Sequence, residues 1–490
     1  VTPPPDPRAG GVVAPTREDP VARAASEVVG GPLGDHARPH RWWTPLRVLL
    51  AVACLAWVLA IVQKAPCIRD GWNGEDTRYA QLCYSDLPYL YVGRGFAELE
   101  VPFTDSEGRY PDLEYPVLIG YLAYGAAVAT QAVHGFPDLS ARQAAPVESV
   151  GALPGVDQER QDFVAVNAVL LLGLLLLATW LLAGAHPRRP WDAMGMVAAP
   201  VLVLTGLVNW DVLPVACVAG AFWAHARGRP LLVGVFIGLG AAAKLYPAFL
   251  LGAFLVVALR RRELRGFGLN VAGAAGAWLL CNLPAMLVHV DGWAGFWSFN
   301  SDRGADLGSL WLVAREHGWD VGVGTVNTVS TLVFGLVCLA VLVLGLTARR
   351  TPRPEQLAFL VVLGFLLVNK VYSPQYVLWL LPLAALARPR WRDLMIWQAG
   401  EVVYFVMVWL YLGAFTSSAT SGAPDPAYSA AILIRVAAEL YLAAVIVRDI
   451  VRPWHDPVAP EPIAPDPVGP DAVAPDGGLS PAGSGRTPSR

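Results

Sequence analysis

Thirteen apolar runs, separated by polar turns and a few long loops, limit what this chain can fold into more than any other feature. They fall near residues 46–64, 115–134, 162–184, 193–208, 210–226, 231–243, 247–259, 267–289, 325–347, 357–369, 375–388, 394–414 and 428–447. The chain of 490 residues is 55% hydrophobic and 15% charged, with a mean hydropathy of +0.46. That density of apolar runs suits an all-α polytopic membrane protein rather than a soluble core. In hydrocarbon each backbone donor needs a partner inside its own segment, so the runs read as helices. Both chain ends on one side require an even number of passes, so 12 or 14 fits better than 13.

Several runs are shorter than the ~20 residues of a straight span. The short ones are split by Asn209-Trp210-Asp211, by Lys244-Leu245-Tyr246-Pro247, and by the turn from Lys370 to Pro374. Short or broken helices are tolerated in a membrane where they line a cavity. Basic clusters at 40–47, 188–189, 227–229, 260–265, 349–353, 388–392 and 448–452 read as cytoplasmic. The loops 65–113, 290–323 and 415–427 then face outward, together with all three broken turns. From residue 186 onward the alternation is consistent. Before it, two runs stand where an odd number of crossings is needed. Either 115–134 does not span, or a crossing is missed, or 193–226 is one broken helix.

Residues 1–44 are rich in Pro, Ala, Gly and Arg and read as a disordered cytoplasmic tail. Residues 451–490 hold ten prolines and read as a second one. The membrane domain is 45–450. A net charge of −3 singles out no partner, and nothing points to nucleic acid or to an oligomeric state. Six cysteines show no metal-type spacing. Cys67 and Cys83 share one loop and could pair if that loop is exported.

Lysine is rare: there are three, against 33 arginines. Lys64 ends the first run and reads as a helix anchor. Lys244 and Lys370 sit in the broken turns. A compact ammonium suits a phosphate as a point charge, and a charge kept beside apolar sequence usually faces a polar cavity. The bland alternative is a helix-end lysine reaching for the interface. Gly234 and Gly238 carry the spacing of close helix packing, and Leu245 after Lys244 excludes a P-loop. Trp293, Trp297, Trp311 and Trp319 read first as an interfacial belt. Arg303 could clamp a phosphate or pair with Asp302 or Asp306. Asp211 and His289 could face the cavity, or cap a helix and lie at the interface.

The first loop is long, aromatic and acidic, as a lid over an outer site would be. Asp86 could act as a general base or merely cap the helix that follows; Glu114 has the same two readings.

Ser85-Asp86-Leu87-Pro88-Tyr89, Gly95, Pro102-Phe103, Tyr110 and Glu114-Tyr115-Pro116 together resemble the first exported loop of family 87 glycosyltransferases. Asn209-Trp210-Asp211, the Gly238 to Pro247 stretch, and Lys370-Val371-Tyr372-Ser373-Pro374-Gln375-Tyr376 resemble later motifs of that family. The resemblance implies a GT-C-like transmembrane fold with a long first extracytoplasmic loop. It implies transfer of a sugar, mannose by family precedent, from a polyprenyl phosphate to an extracytoplasmic lipid or glycan acceptor in the cell envelope of an actinobacterium. Inversion would follow from a single attack, with Asp86 as base and Glu114 as a second candidate carboxylate. Lys244, Lys370, Arg303, Tyr89, Tyr246, Tyr372, Gln375 and Asp211 would bind substrate. With no Asp-x-Asp pair in the loop, no metal and no other cofactor are expected. The competing reading is a transporter or flippase of a lipid-linked sugar, which broken helices and membrane-edge lysines also fit.

Overall fold

In a computed structural model the protein is described over residues 12, 19–30, 42–104, 108–416 and 425–458. Those residues form helices and turns, with no strand among them. Six helices are long and apolar enough to cross a membrane: α1 (Pro45–Arg69), α3 (Val156–Ala183), α7 (Leu264–Val288), α8 (Val323–Thr347), α11 (Trp391–Leu412) and α12 (Pro426–Val451). Shorter apolar helices lie between them: α2 (Val117–Val133), α4 (Val212–His225), α5 (Pro230–Ala243), α6 (Leu250–Arg261), α9 (Pro354–Val368) and α10 (Val377–Ala387). A broken segment, Pro190–Ala193, Met194–Val197 and Pro200–Thr205, precedes α4.

Local chemistry sets these boundaries. Proline opens α1, α5, α9 and α12, where its missing N–H costs nothing. Thr44 and Asp425 accept hydrogen bonds from the first turns of α1 and α12. α5 and α7 approach so closely that a Cβ on Gly234 would sit 2.0 Å from the Asn270 carbonyl oxygen. One on Gly238 would sit 2.2 Å from that of Ala274, as the glycine spacing predicts.

Polar bonds assign helix ends to faces. Arg227 donates to the Gly184 carbonyl at 3.1 Å, and His186 meets Glu355 at 2.8 Å. Arg353 pairs with Asp456 at 3.0 Å, and Arg388 pairs with Asp393 and Asp449 at 2.8 and 2.7 Å. Arg260 donates to the carbonyls of Leu346 and Ala348. One face therefore gathers the basic clusters of the later turns. Most of the two expected tails lies outside the described residues. Within the first, Pro20–Gly30 is a helix: Asp19 accepts from Val21 N and Ala22 N, and also from Trp391 N at 3.0 Å on the basic face.

The opposite face carries the long first loop, and α2 resolves the conflict in the alternation. Tyr115, just before α2, bonds to Asp86 of that loop, and Gln131 near its end donates to the Ala97 carbonyl of the same loop. Arg142, beyond α2, bridges Ala97 to Glu159 at the start of α3. Both ends of α2 thus stand on the loop face, and it is not a crossing. The remaining passes among the described residues are α1, α3, the broken segment, α4, α5, the Tyr246–Arg261 stretch, α7, α8, α9, the Pro374–Ala387 stretch, α11 and α12. These are twelve, and the start of α1 and the end of α12 fall on the basic face.

α4 and α5 have 14 residues each and α9 has 15. Their lengths are about 21–23 Å at 1.5 Å per residue, short of a hydrocarbon layer of about 30 Å. Helices that short do not fill such a layer alone, and Lys244 and Asn369, at the loop-face ends of α5 and α9, line a cavity.

His186 lies in the turn after α3. Burial pushes its pKa down, but the carboxylates of Asp192 and Glu355 outweigh that and hold it at about 9. A raised folded-state pKa gives stability that is complete below the unfolded value near ~6.5 and fades as pH rises through about 9. His186→Gln should therefore lower the melting temperature at pH 7 and have much less effect at pH 10. An equal deficit at both pH values would contradict this.

Candidate active site

Asp86 is fixed from two sides. On one, α1 pins the preceding residues: Gln63 donates to the Leu82 carbonyl, Lys64 donates to that of Tyr84 at 2.7 Å, and Cys67 forms a disulfide with Cys83. Lys64 is only 1% exposed, so it is a clasp for this loop rather than an interfacial anchor. On the other, the backbone N–H of Asp86 and the Ser85 hydroxyl both donate to the Val208 carbonyl. Asp86 precedes the helix Leu87–Gly93 but its carboxylate makes no capping bond there. It accepts instead from the Tyr115 hydroxyl at 2.7 Å.

The carboxylate opens into a cavity of about 870 Å³ on the loop face. Glu114, Lys244, Arg303, Lys370, Tyr89 and Gln375 also line it. Lys244 ends α5, pairs with Asp211 at 3.2 Å, and holds its ammonium 4.7 Å from the Tyr115 ring centre. Tyr115 thus touches both the carboxylate and the lysine. Lys370 follows α9 and donates to the Ser301 carbonyl at 3.0 Å and to Asn327 at 2.6 Å. Both acceptors are neutral, and of the charged groups nearby the Asp302 carboxylate favours the ammonium while Arg303 opposes it. Arg303 pairs with Asp306, of the two acidic neighbours considered. Glu114 pairs with Arg94, and Pro116 rather than Glu114 stands at the start of α2.

Three expected contact residues stand behind the wall instead of on it. Asp211 is fully buried between Lys244 and the Trp379 indole N–H. Tyr246 stacks on Trp379 with ring centres 4.6 Å apart. Tyr372 is fully buried and donates its hydroxyl to Glu401. Asp211 and Tyr246 brace the lining residues Lys244 and Trp379 from behind, and Tyr372 is tied to Glu401 deeper in the bundle. His289 lies outside this cavity, against the 94–113 part of the first loop. Of the tryptophans in the second loop, Trp297 lines the cavity, Trp319 is exposed, and Trp293 and Trp311 bond inward.

The cavity has a second wall that the sequence reading passed over. Tyr79, Tyr84 and Trp409 pack together, with Tyr84 and Trp409 centres 4.9 Å apart, and Tyr89 stacks on Tyr84. Tyr79, Tyr84 and Tyr89 share the loop of Asp86, so their spacing was visible; Trp409, on α11, could only be placed by the fold.

Enclosure pushes the Asp86 pKa above its ordinary value; bonds from Tyr115 and Tyr84 and the charge of Lys244 pull against that rise. A raised, partly enclosed carboxylate beside cations in one cavity is a setting for proton transfer at a site that handles an anion.

Residues 152–369 match the family model of glycosyltransferase family 87. The chain is a glycosyltransferase. The match decides for the enzyme over the transporter reading, and twelve passes with a long loop suit a membrane-embedded one. The matched stretch of the glycosyltransferase includes Asp211, Lys244 and Arg303, while Asp86, Glu114 and Lys370 lie outside it. No curated protein matches the chain.

Proposed function

We propose that the glycosyltransferase moves a hexose, mannose by family resemblance, from a polyprenyl phosphate to a hydroxyl of a lipid or glycan acceptor on the extracytoplasmic side of an actinobacterial cytoplasmic membrane. The observation that carries this reading is the sharing of one cavity by Asp86, Lys244, Lys370 and Arg303. Asp86 takes the proton from the acceptor hydroxyl. That oxygen forms a bond to the anomeric carbon as the bond from this carbon to the phosphate oxygen breaks. The polyprenyl phosphate leaves with the electron pair, and the cations stabilise its growing negative charge. One displacement from the face opposite the leaving group inverts the anomeric configuration. These steps assign no role to a metal or other cofactor.

The extracytoplasmic placement is supported by the basic face, which charge bias favours as cytoplasmic. The Cys67–Cys83 disulfide of the loop face fits an oxidising compartment. A cavity bordered by short helices suits a phosphate whose tail stays in lipid. Glu114, held by Arg94, serves the entrance rather than the reacting atoms.

A base must be ionised, and the pKa of Asp86 is raised. Transfer should therefore fail, as pH is lowered, at a higher pH than an ordinary aspartate near ~3.9 would set. The test is the pH profile of kcat/KM with polyprenyl-phosphate mannose as donor. An acid limb at or below the ordinary aspartate range would remove Asp86 as the base.

A further inference from the structure

The cationic wall of the cavity is made of two chain segments, 299–307 and 369–376, that reach it from different parts of the sequence. They are joined to each other: Asp306 N donates to the Lys370 carbonyl at 2.8 Å, and Tyr372 N donates to that of Leu307 at 2.7 Å. Both then run down onto one side chain that neither the proposed function nor the family match uses. Arg435, in the apolar middle of α12, is 1% exposed. Its guanidinium lies 3.5 Å from the Tyr372 ring centre and donates to the Gly308 carbonyl at 3.0 Å. Glu401 accepts from the Tyr372 hydroxyl, and Glu439 lies 4.0 Å from Arg435. Charges inside a membrane bundle are costly and rarely kept without work to do.

The junction is tight as well as polar. Gly308 has φ +69°, and a Cβ there would stand 2.1 Å from the Tyr404 hydroxyl and 2.5 Å from the Tyr372 carbonyl oxygen. Gly308 N donates to the Tyr428 hydroxyl at 2.9 Å, and Tyr404 donates to the Tyr372 carbonyl.

We infer that Arg435 is a positioning residue for the anion-binding wall. It holds Gly308 and Tyr372 together from beneath, and so sets Arg303 and Lys370 facing one lipid phosphate without touching it. The inference rests on the proposal that this wall takes a phosphate.

Farnesyl phosphate and farnesol, which differ only in the phosphate, test both in protein held in lipid nanodiscs. The wild type should prefer farnesyl phosphate. R435M should lose that preference by roughly tenfold or more, the worth of one charged hydrogen bond, and bind farnesol unchanged. R435K, which keeps charge but not the planar face, should lie between. If Lys370 acts through the same junction, K370A should weaken farnesyl phosphate binding in the wild type but add little in R435M. If R435M does not fold, Y404F loosens the same junction and should lower the preference several-fold. Undiminished preference in the folded variant overturns the positioning role and leaves the phosphate reading intact. A wild type without preference overturns the phosphate reading itself, and the inference with it.

Discussion

Asp86→Asn is expected to reduce transfer by about 10²–10⁴-fold, the usual contribution of a positioned base. The amide fits the same space and can still meet the Tyr115 hydroxyl, but it cannot take a proton. The loss should appear in kcat, with farnesyl phosphate binding retained, because the carboxylate is not part of the wall that holds the phosphate. Label followed from polyprenyl-phosphate mannose into product measures it. Wild-type transfer by a folded Asp86→Asn protein would remove Asp86 from the chemistry.

Lys244→Met should be nearly as damaging, and for two separable reasons. The first is chemical: on the proposed reaction, the charge that would meet the leaving phosphate is gone, at a cost of roughly 10²–10³-fold in rate. The second is structural. Asp211 is fully buried and paired with Lys244 at 3.2 Å. Removing one partner of a buried ion pair costs about 3–5 kcal/mol, because the other charge is left alone. The double variant Asp211→Asn with Lys244→Met separates them. It should regain much of the lost thermal stability and none of the lost transfer. Recovery of transfer along with stability would make Lys244 a structural residue only.

The fold was legible because hydrocarbon leaves the chain few choices. All thirteen apolar runs are helical segments; the broken turns at 244–247 and 370–374 contribute lining residues to the cavity, and 209–211 stands just behind its wall. What hydropathy could not give was the direction of α2. Its 17 apolar residues look like a span, but the partners of Tyr115 and Gln131 keep both its ends on the loop face. That is tertiary information, and periodicity carries none of it.

The site divides along a similar line. Residues whose type was unusual for their setting were readable: Asp86 in an aromatic loop, and two lysines in a chain almost without lysine. Lys64 shares that rarity, but its clasp on Tyr84 leaves no mark in the sequence because the partner is a backbone carbonyl. Asp211, Tyr246 and Tyr372 stand one layer behind the cavity lining. A motif shows that residues stand together, not which of them faces the cavity. Arg435, Glu401 and Glu439 were visible as charges inside apolar helices, a signal strong enough to have been followed.

The most direct measurement is an electron cryo-microscopy map of the protein with polyprenyl-phosphate mannose bound. The phosphate should lie against Lys244 and the Arg303–Lys370 wall, with the lipid tail leaving between helices. The sugar should stand with its anomeric carbon turned toward Asp86, leaving room for one hydroxyl between them. A phosphate bound on the basic face, or a sugar turned away from Asp86 with the cavity empty, would contradict the account.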